Sequence, residues 1–175
     1  MHAIVIYKSK YGSTRAYAEW IAEALSCQAV EAKSVKVADL DAYDTIVYGG
    51  GLYAEIINGV HLITKNLDRL SDKKIAVFTT GITPLDCRDY YDNEVIEKNF
   101  KSEMLKKLRV FNFMGKMILD ELTPVHRTAL KTLKKIMSSK ENPSELEKLL
   151  IELCDADGDF TDKSAILPLL EYVKE

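Results

Sequence analysis

Four continuous apolar runs, rich in β-branched and aromatic residues, limit the folds that this chain can adopt. They lie near 3–8, 44–50, 73–80 and 108–115. Because they do not alternate with polar residues, each is typical of a strand buried on both faces, as in a parallel sheet. A weaker run at 28–35 does alternate, and it predicts an edge strand.

Helical patterns fill the intervals between these runs, at 13–26, about 59–70 and about 93–107. Strand and helix therefore alternate along the chain, and the crossovers between parallel strands are right-handed. We predict an α/β fold with a doubly wound, five-stranded parallel sheet, strand order 2-1-3-4-5, and helices on both faces.

Three further helical stretches follow the fifth predicted strand. They occupy 124–140, 143–153 and the end of the chain from 162, with Pro124 at a first helical position. We found no internal repeat, low-complexity tract or Pro/Gly linker. We therefore predict a single domain over 1–175 that carries extra C-terminal helices.

Composition excludes several protein classes. No apolar run approaches the roughly 18 residues of a membrane span, and the N-terminus lacks signal-peptide features. Three cysteines are widely spaced, and the three histidines, His2, His61 and His126, are scattered. We expect a cytoplasmic protein, and we assign these histidines no metal or catalytic role.

The first βα junction carries the sharpest motif, SKYGST at 9–14. Its glycine allows close backbone approach, and it leads into a helix N-terminus with free N–H donors and partial positive charge. We interpret it as a phosphate site, and neither GxxxxGK[ST] nor GxGxxG is present. The alternative is that Ser13 or Thr14 merely caps the helix.

Two more loops leave the same predicted sheet edge. GGGLYAEIING follows the third strand and TTGITPLDCRDYYD follows the fourth. Their glycines allow the backbone to close on a ligand, and Leu52 and Tyr53 can cover an aromatic face. Tyr90 and Tyr91 lie farther along the second loop. Three such loops on one edge predict a ligand site at the switch point of the sheet.

These three loops resemble the FMN-binding loops of flavodoxins. Ser9, Gly12 and Thr14 match the family pattern SxTGxT, whereas Tyr11 replaces its first Thr and Lys10 adds a cation. The resemblance implies a flavodoxin-like fold, FMN as cofactor, no catalytic side chain and no metal. It also implies a set of FMN-binding residues: Ser9, Lys10, Tyr11, Gly12, Ser13, Thr14, Gly50, Gly51, Leu52, Tyr53, Thr79, Thr80, Gly81 and Ile82.

The opening YKSKYGSTRAYAEWIA and the ending GDFTDKSAILPLLEYVKE resemble the flavodoxin-domain family that includes menaquinone-dependent protoporphyrinogen oxidase. This resemblance implies an FMN-dependent oxidoreductase with a small-molecule or quinone redox partner. Two alternatives are an electron carrier that serves partner proteins and a flavin-free interaction module. We expect no nucleic-acid partner, because the basic residues form no recognised binding motif.

Charge is strongly segregated in the last third of the chain. Residues 101–140 hold ten Lys/Arg against three Asp/Glu, whereas 141–175 hold three against ten. The segment 105–140 predicts an amphipathic helix with a cationic side. This helix could lie on the inner face of an anionic membrane. We favour the plainer interpretation of a solvated face, or of docking against the acidic helices of the same chain.

Overall fold

A computed structural model describes all 175 residues and confirms the predicted α/β sheet. Five long strands are parallel, in the spatial order β2-β1-β3-β5-β6. Without the short hairpin strand β4, this is the predicted order 2-1-3-4-5. The strands are β1 Ala3–Lys8, β2 Gln28–Glu31, β3 Thr45–Tyr53, β4 Ile56–Ile57, β5 Lys74–Gly81 and β6 Leu108–Met114.

Six α-helices accompany the sheet, and two are much shorter than the sequence predicts. They are α1 Ser13–Leu25, α2 His61–Thr64, α3 Ile96–Asn99, α4 Pro124–Ser138, α5 Glu145–Leu153 and α6 Leu167–Lys174. None of these helices has the length and apolarity needed to cross a lipid bilayer.

The predicted helices at 59–70 and 93–107 are wrong as continuous helices. After α2 the Asn66 side chain donates to the Leu62 carbonyl, in competition with the backbone ladder. The second region is a π-helical turn at Tyr90–Val95 followed by α3. Asn99 donates to the carbonyls of Val95 and Glu55, and extended Phe100 ends the helix.

Continuous apolar strands are explained by burial on both faces. In β1, Ile4 and Ile6 belong to one core cluster, whereas Ala3 and Val5 belong to the other. The second cluster is completed by α1 and α6, which pack on the same face of the sheet. Because successive strand residues point to opposite faces, both sets must be apolar here.

The predicted loop GGGLYAEIING, which begins at Gly49, is largely strand. β3 continues to Tyr53, and β4 folds back against it through a turn in which Ala54 and Glu55 have φ of 48° and 63°. Gly49 and Gly50 are needed for close packing, because a side chain at either position would collide with its neighbours. A Cβ on Gly49 would lie 2.0 Å from Phe78 Cζ, and one on Gly50 would lie 2.7 Å from the Asn58 carbonyl oxygen.

The extra helices are an insertion rather than a C-terminal extension. β7, Lys116–Met117, pairs antiparallel with β8, Gly158–Asp159, and the chain between them holds α4 and α5. After this excursion, α6 returns to the sheet as its last helix. We call residues 118–157 the inserted hairpin.

The basic and acidic segments pack against each other within the inserted hairpin. Lys134 pairs with Asp155, and Lys140 pairs with Glu147, which joins α4 to the acidic chain that follows. Ser144 caps α5 by accepting from the Glu147 amide at 3.2 Å. In the structure, the basic helix therefore docks on the acidic helix of the same chain, which is one of the two interpretations that the charge pattern favours.

Candidate functional site

A cavity of about 520 Å³ opens at the carboxyl edge of the sheet. Three loops converge there because the carboxyl ends of parallel strands share one edge. Ten of the predicted site residues line this cavity: Lys10, Tyr11, Ser13, Thr14, Gly51, Leu52, Tyr53, Thr80, Gly81 and Ile82. The structure therefore brings together most of a set that is spread over 73 positions of the sequence, from Lys10 to Ile82.

The N-terminus of α1 forms one end of the cavity. Its N-cap is Gly12, in the left-handed region with φ of 96°, and no side chain caps the helix. The first helical hydrogen bond runs from the Ala16 amide to the Gly12 carbonyl. The amides of Ser13, Thr14 and Arg15 therefore have no intrahelical acceptor, which is the arrangement that binds anions.

The alternative that Ser13 or Thr14 merely caps α1 is wrong. Both residues lie inside the helix, and the Thr14 hydroxyl hydrogen-bonds the Thr80 hydroxyl at 2.7 Å in a buried position. Ser9 shapes the loop instead, since its Oγ accepts from the Gly12 amide at 3.1 Å. The loop is thus held from both sides while its helix amides stay free.

Two lysines stand beside this uncapped helix end. Lys10 belongs to the loop itself, and Lys116 belongs to β7. Lys116 Nζ lies 3.9 Å from the position that a Cβ on Gly12 would take, and it pairs with Glu121 at 3.2 Å. An anion on the loop would therefore meet two ammonium groups in addition to the helix dipole.

The remainder of the cavity has two apolar walls. Leu52, Tyr53 and Ile82 form the wall on the sheet side. α4 contributes a second apolar set, Ala129, Leu130 and Leu133. Burial raises the pKa of Tyr53 to about 12, so its phenol is neutral at physiological pH. A flat aromatic group fits between such walls.

His126 of α4 also lines the cavity, and the sequence analysis, which assigned it no metal or catalytic role, did not include it in the site. Its Nδ1 lies 2.7 Å from the Tyr11 hydroxyl, its Nε2 lies 3.3 Å from Lys10 Nζ, and its ring centroid lies 5.1 Å from that of Tyr53. Burial and the Lys10 ammonium lower the pKa of His126. No sequence signal marks this residue, because only the chain path of the inserted hairpin brings it to the loop.

Four predicted residues do not line the cavity. Ser9 and Gly12 hold the conformation of the SKYGST loop through the bond from the Gly12 amide to Ser9 Oγ, and Gly50 packs against Asn58. We call residues 9–14 the phosphate loop. Thr79 is fully buried and donates to Asn112 Oδ1 at 2.8 Å. These four residues therefore support the loops and strands around the cavity and do not form its lining.

Tyr90 and Tyr91 are core residues. Both are buried, and their rings meet edge to face at 5.1 Å. The Tyr91 hydroxyl donates to the Thr83 carbonyl at 2.6 Å. This bond holds the loop after β5 in place. Neither tyrosine lines the cavity.

Comparison with known proteins gives one family match. A family model described as a flavodoxin domain matches residues 4–144. Comparison with curated proteins finds no significant match.

Several solved structures are similar to this chain. A flavodoxin from the domain Archaea is 17% identical, with 100% of both chains covered and a TM-score of 0.44. A WrbA-like flavodoxin from Agrobacterium tumefaciens is 18% identical, covering 63% of this chain and 82% of that one, with a TM-score of 0.43. A flavoprotein in complex with FMN from Lactobacillus acidophilus is 16% identical, covering 65% and 91%, with a TM-score of 0.40. With TM-scores below 0.5, these likenesses add nothing to the family match.

Proposed function

Because this chain belongs to the flavodoxin domain family and has FMN as its cofactor, we propose that it is an FMN-dependent oxidoreductase. Its proposed redox partner is a small lipophilic molecule of the quinone type. When bound, FMN supplies the redox chemistry, and the protein supplies position and electrostatics. The observation that carries the proposal is the apolar lining that α4 contributes to the cavity.

The residues present fit FMN. The free amides of Ser13 to Arg15, with Lys10 and Lys116, match a phosphate monoester in charge and in hydrogen-bonding capacity. The cavity of about 520 Å³ lies within the range of about 300–1,000 Å³ that is usual for small-molecule sites. Leu52, Tyr53 and Ile82 offer an apolar surface to a flat ring system.

The α4 wall favours an enzyme over an electron carrier. A carrier must expose its flavin edge to a docking protein, whereas here α4 contributes Ala129, Leu130 and Leu133 to the lining of the cavity itself. This apolar lining suits a flat apolar substrate, and we expect α4 to limit the approach of a large partner. The resemblance of both chain ends to the protoporphyrinogen oxidase group supports the same proposal.

Anaerobic reduction of the purified protein tests this function. We expect FMN to bind at least 100-fold more tightly than riboflavin, because the phosphate makes several charge-assisted hydrogen bonds of about 1.5–3 kcal/mol each. We also expect reduction in a single two-electron stage, followed by reoxidation by a soluble quinone such as menadione. A stable one-electron stage without quinone turnover would favour the carrier. Equal affinity for riboflavin would contradict the phosphate site.

We also propose peripheral contact with an anionic membrane through α4. Val125, Ala129, Leu133 and Ile136 form one stripe along the helix, and Val125 and Ile136 are 74% and 55% exposed. Lys131 and Lys135 on the same helix form no ion pair. An exposed apolar stripe with free lysines is typical of helices that lie on anionic bilayers.

Vesicle sedimentation tests this contact. We expect binding to phosphatidylglycerol vesicles and little binding to phosphatidylcholine vesicles, with added salt weakening it. The double variant Val125→Ser/Ile136→Ser should lose most of this binding. Leu167→Ser, which changes an equally exposed residue on α6, is the matched control. Undiminished binding of the double variant would rule out α4 as the contact.

A further inference from the structure

The inserted hairpin reaches the phosphate loop through a polar contact that the family match does not assign. Thr123 and His126, at the start of α4, meet the side chains of Lys10 and Tyr11. These two loop residues also line the cavity. The same short segment therefore faces the cofactor on one side and the inserted hairpin on the other.

Donors and acceptors in this contact are mutually consistent. The Lys10 ammonium has only N–H donors, so His126 Nε2 must accept from it at 3.3 Å. The neutral ring then carries its proton on Nδ1 and donates to the Tyr11 oxygen at 2.7 Å. That oxygen also accepts from the Thr123 amide at 3.3 Å. A neutral His126 agrees with its lowered pKa.

The chain path gives α4 and α5 different attachments to the rest of the protein. The inserted hairpin enters and leaves through β7 and β8, a pair only two residues long on each side. α5 packs on the core through Leu146, whereas the start of α4 is held by the Lys10, Tyr11 and His126 contact, and α4 also lines the cavity. Release of this contact would free the start of α4 beside the cavity while α5 keeps its contact with the core.

We infer that α4 is a lid over bound FMN and that His126 holds this lid closed. The inference rests on the FMN site described above. FMN leaves the cavity when α4 lifts from the phosphate loop, and the His126 contact opposes that step. His126 is thus a positioning residue that acts through Lys10 and Tyr11.

The rate of FMN dissociation tests the lid. Free FMN is fluorescent, so its release into excess competing apoprotein can be followed directly. We expect His126→Ala and Tyr11→Phe each to raise the dissociation rate constant about tenfold, since each removes the short hydrogen bond. The double variant should be little faster than either single variant. Thr128→Ala, at an exposed position of the same helix, should leave the rate unchanged.

Hydrogen exchange in the FMN-free protein provides a readout that does not depend on the cofactor. His126→Ala should speed amide exchange in α4 while β1, β3 and β5 stay protected. Unchanged exchange in α4 would overturn the lid, whether or not FMN binds. Faster exchange with an unchanged FMN dissociation rate would also overturn it, because the contact would then hold α4 without controlling the cofactor. Failure of the unsubstituted protein to bind FMN would instead remove the cofactor assignment.

Discussion

Replacing Gly49 with alanine is expected to destabilise the fold by about 3 kcal/mol, which is the upper range for overpacking a rigid core. The new Cβ would lie 2.0 Å from Cζ of Phe78, a fully buried ring, and 2.5 Å from its Cε1. Both residues sit on adjacent central strands, β3 and β5, so neither backbone can move away cheaply. Urea unfolding followed by circular dichroism measures the loss.

Two variants make this prediction specific. Gly51→Ala changes a glycine two positions along the same strand, where a Cβ would find its nearest neighbour at 3.3 Å, and it should cost less than about 1 kcal/mol. Gly49→Ala combined with Phe78→Leu should recover part of the stability, because the smaller side chain frees the space. An unfolding free energy for Gly49→Ala within about 0.5 kcal/mol of the unsubstituted protein would show that the strand packing is described wrongly.

Replacing Gly12 with alanine is expected to weaken FMN binding about 100-fold. Space is not the difficulty, because the nearest atom to the new Cβ would be Lys116 Cε at 3.7 Å. The difficulty is the backbone conformation. Gly12 has φ of 96°, and a left-handed conformation costs a non-glycine residue about 1–2 kcal/mol. Relaxation of that strain turns the amides of the loop away from the phosphate, and each lost charge-assisted bond costs about 1.5–3 kcal/mol.

A fluorescence-quenching titration with FMN gives the dissociation constant for this comparison. Ser71→Ala is the control, since Ser71 is exposed and lies outside the lining of the cavity. Riboflavin binding should change much less than FMN binding in Gly12→Ala. An FMN dissociation constant within about twofold of the unsubstituted value would show that the α1 amides are not the phosphate site.

The sheet and the phosphate loop were predictable from local sequence. Continuous apolar runs identify strands that are buried on both faces, and residues such as Ile4 and Val5 then pack on opposite sides. SKYGST was identifiable because a glycine between a strand and a helix N-terminus predicts an anion site, and the structure then showed that no side chain caps this helix. Such signals survive in a single sequence because they depend on neighbours within a few positions.

Helix lengths and the glycine run were predicted less well, because side chains distant in sequence decide them. Asn99 bonds to the carbonyl of Glu55 across 44 positions and helps to end α3 at that point. β3 continues beyond its predicted end near Gly50 to Tyr53, because β4 folds back and pairs Leu52 with Ile57. Composition and periodicity do not predict either contact.

The sequence by itself determined the α/β class and the sheet edge at which three loops meet, since both follow from periodicity and from which strand ends share an edge. The individual site residues came from the resemblance to flavodoxins, and ten of the fourteen line the cavity. Only the tertiary structure decided that the basic and acidic helices are an insertion between β6 and α6. The same chain path brings His126 to Tyr11 across 115 positions and places Leu130 and Leu133 in the lining of the cavity. The physical reason is that the antiparallel pairing of β7 with β8 turns α4 back over the sheet edge, and this pairing involves only two residues on each side.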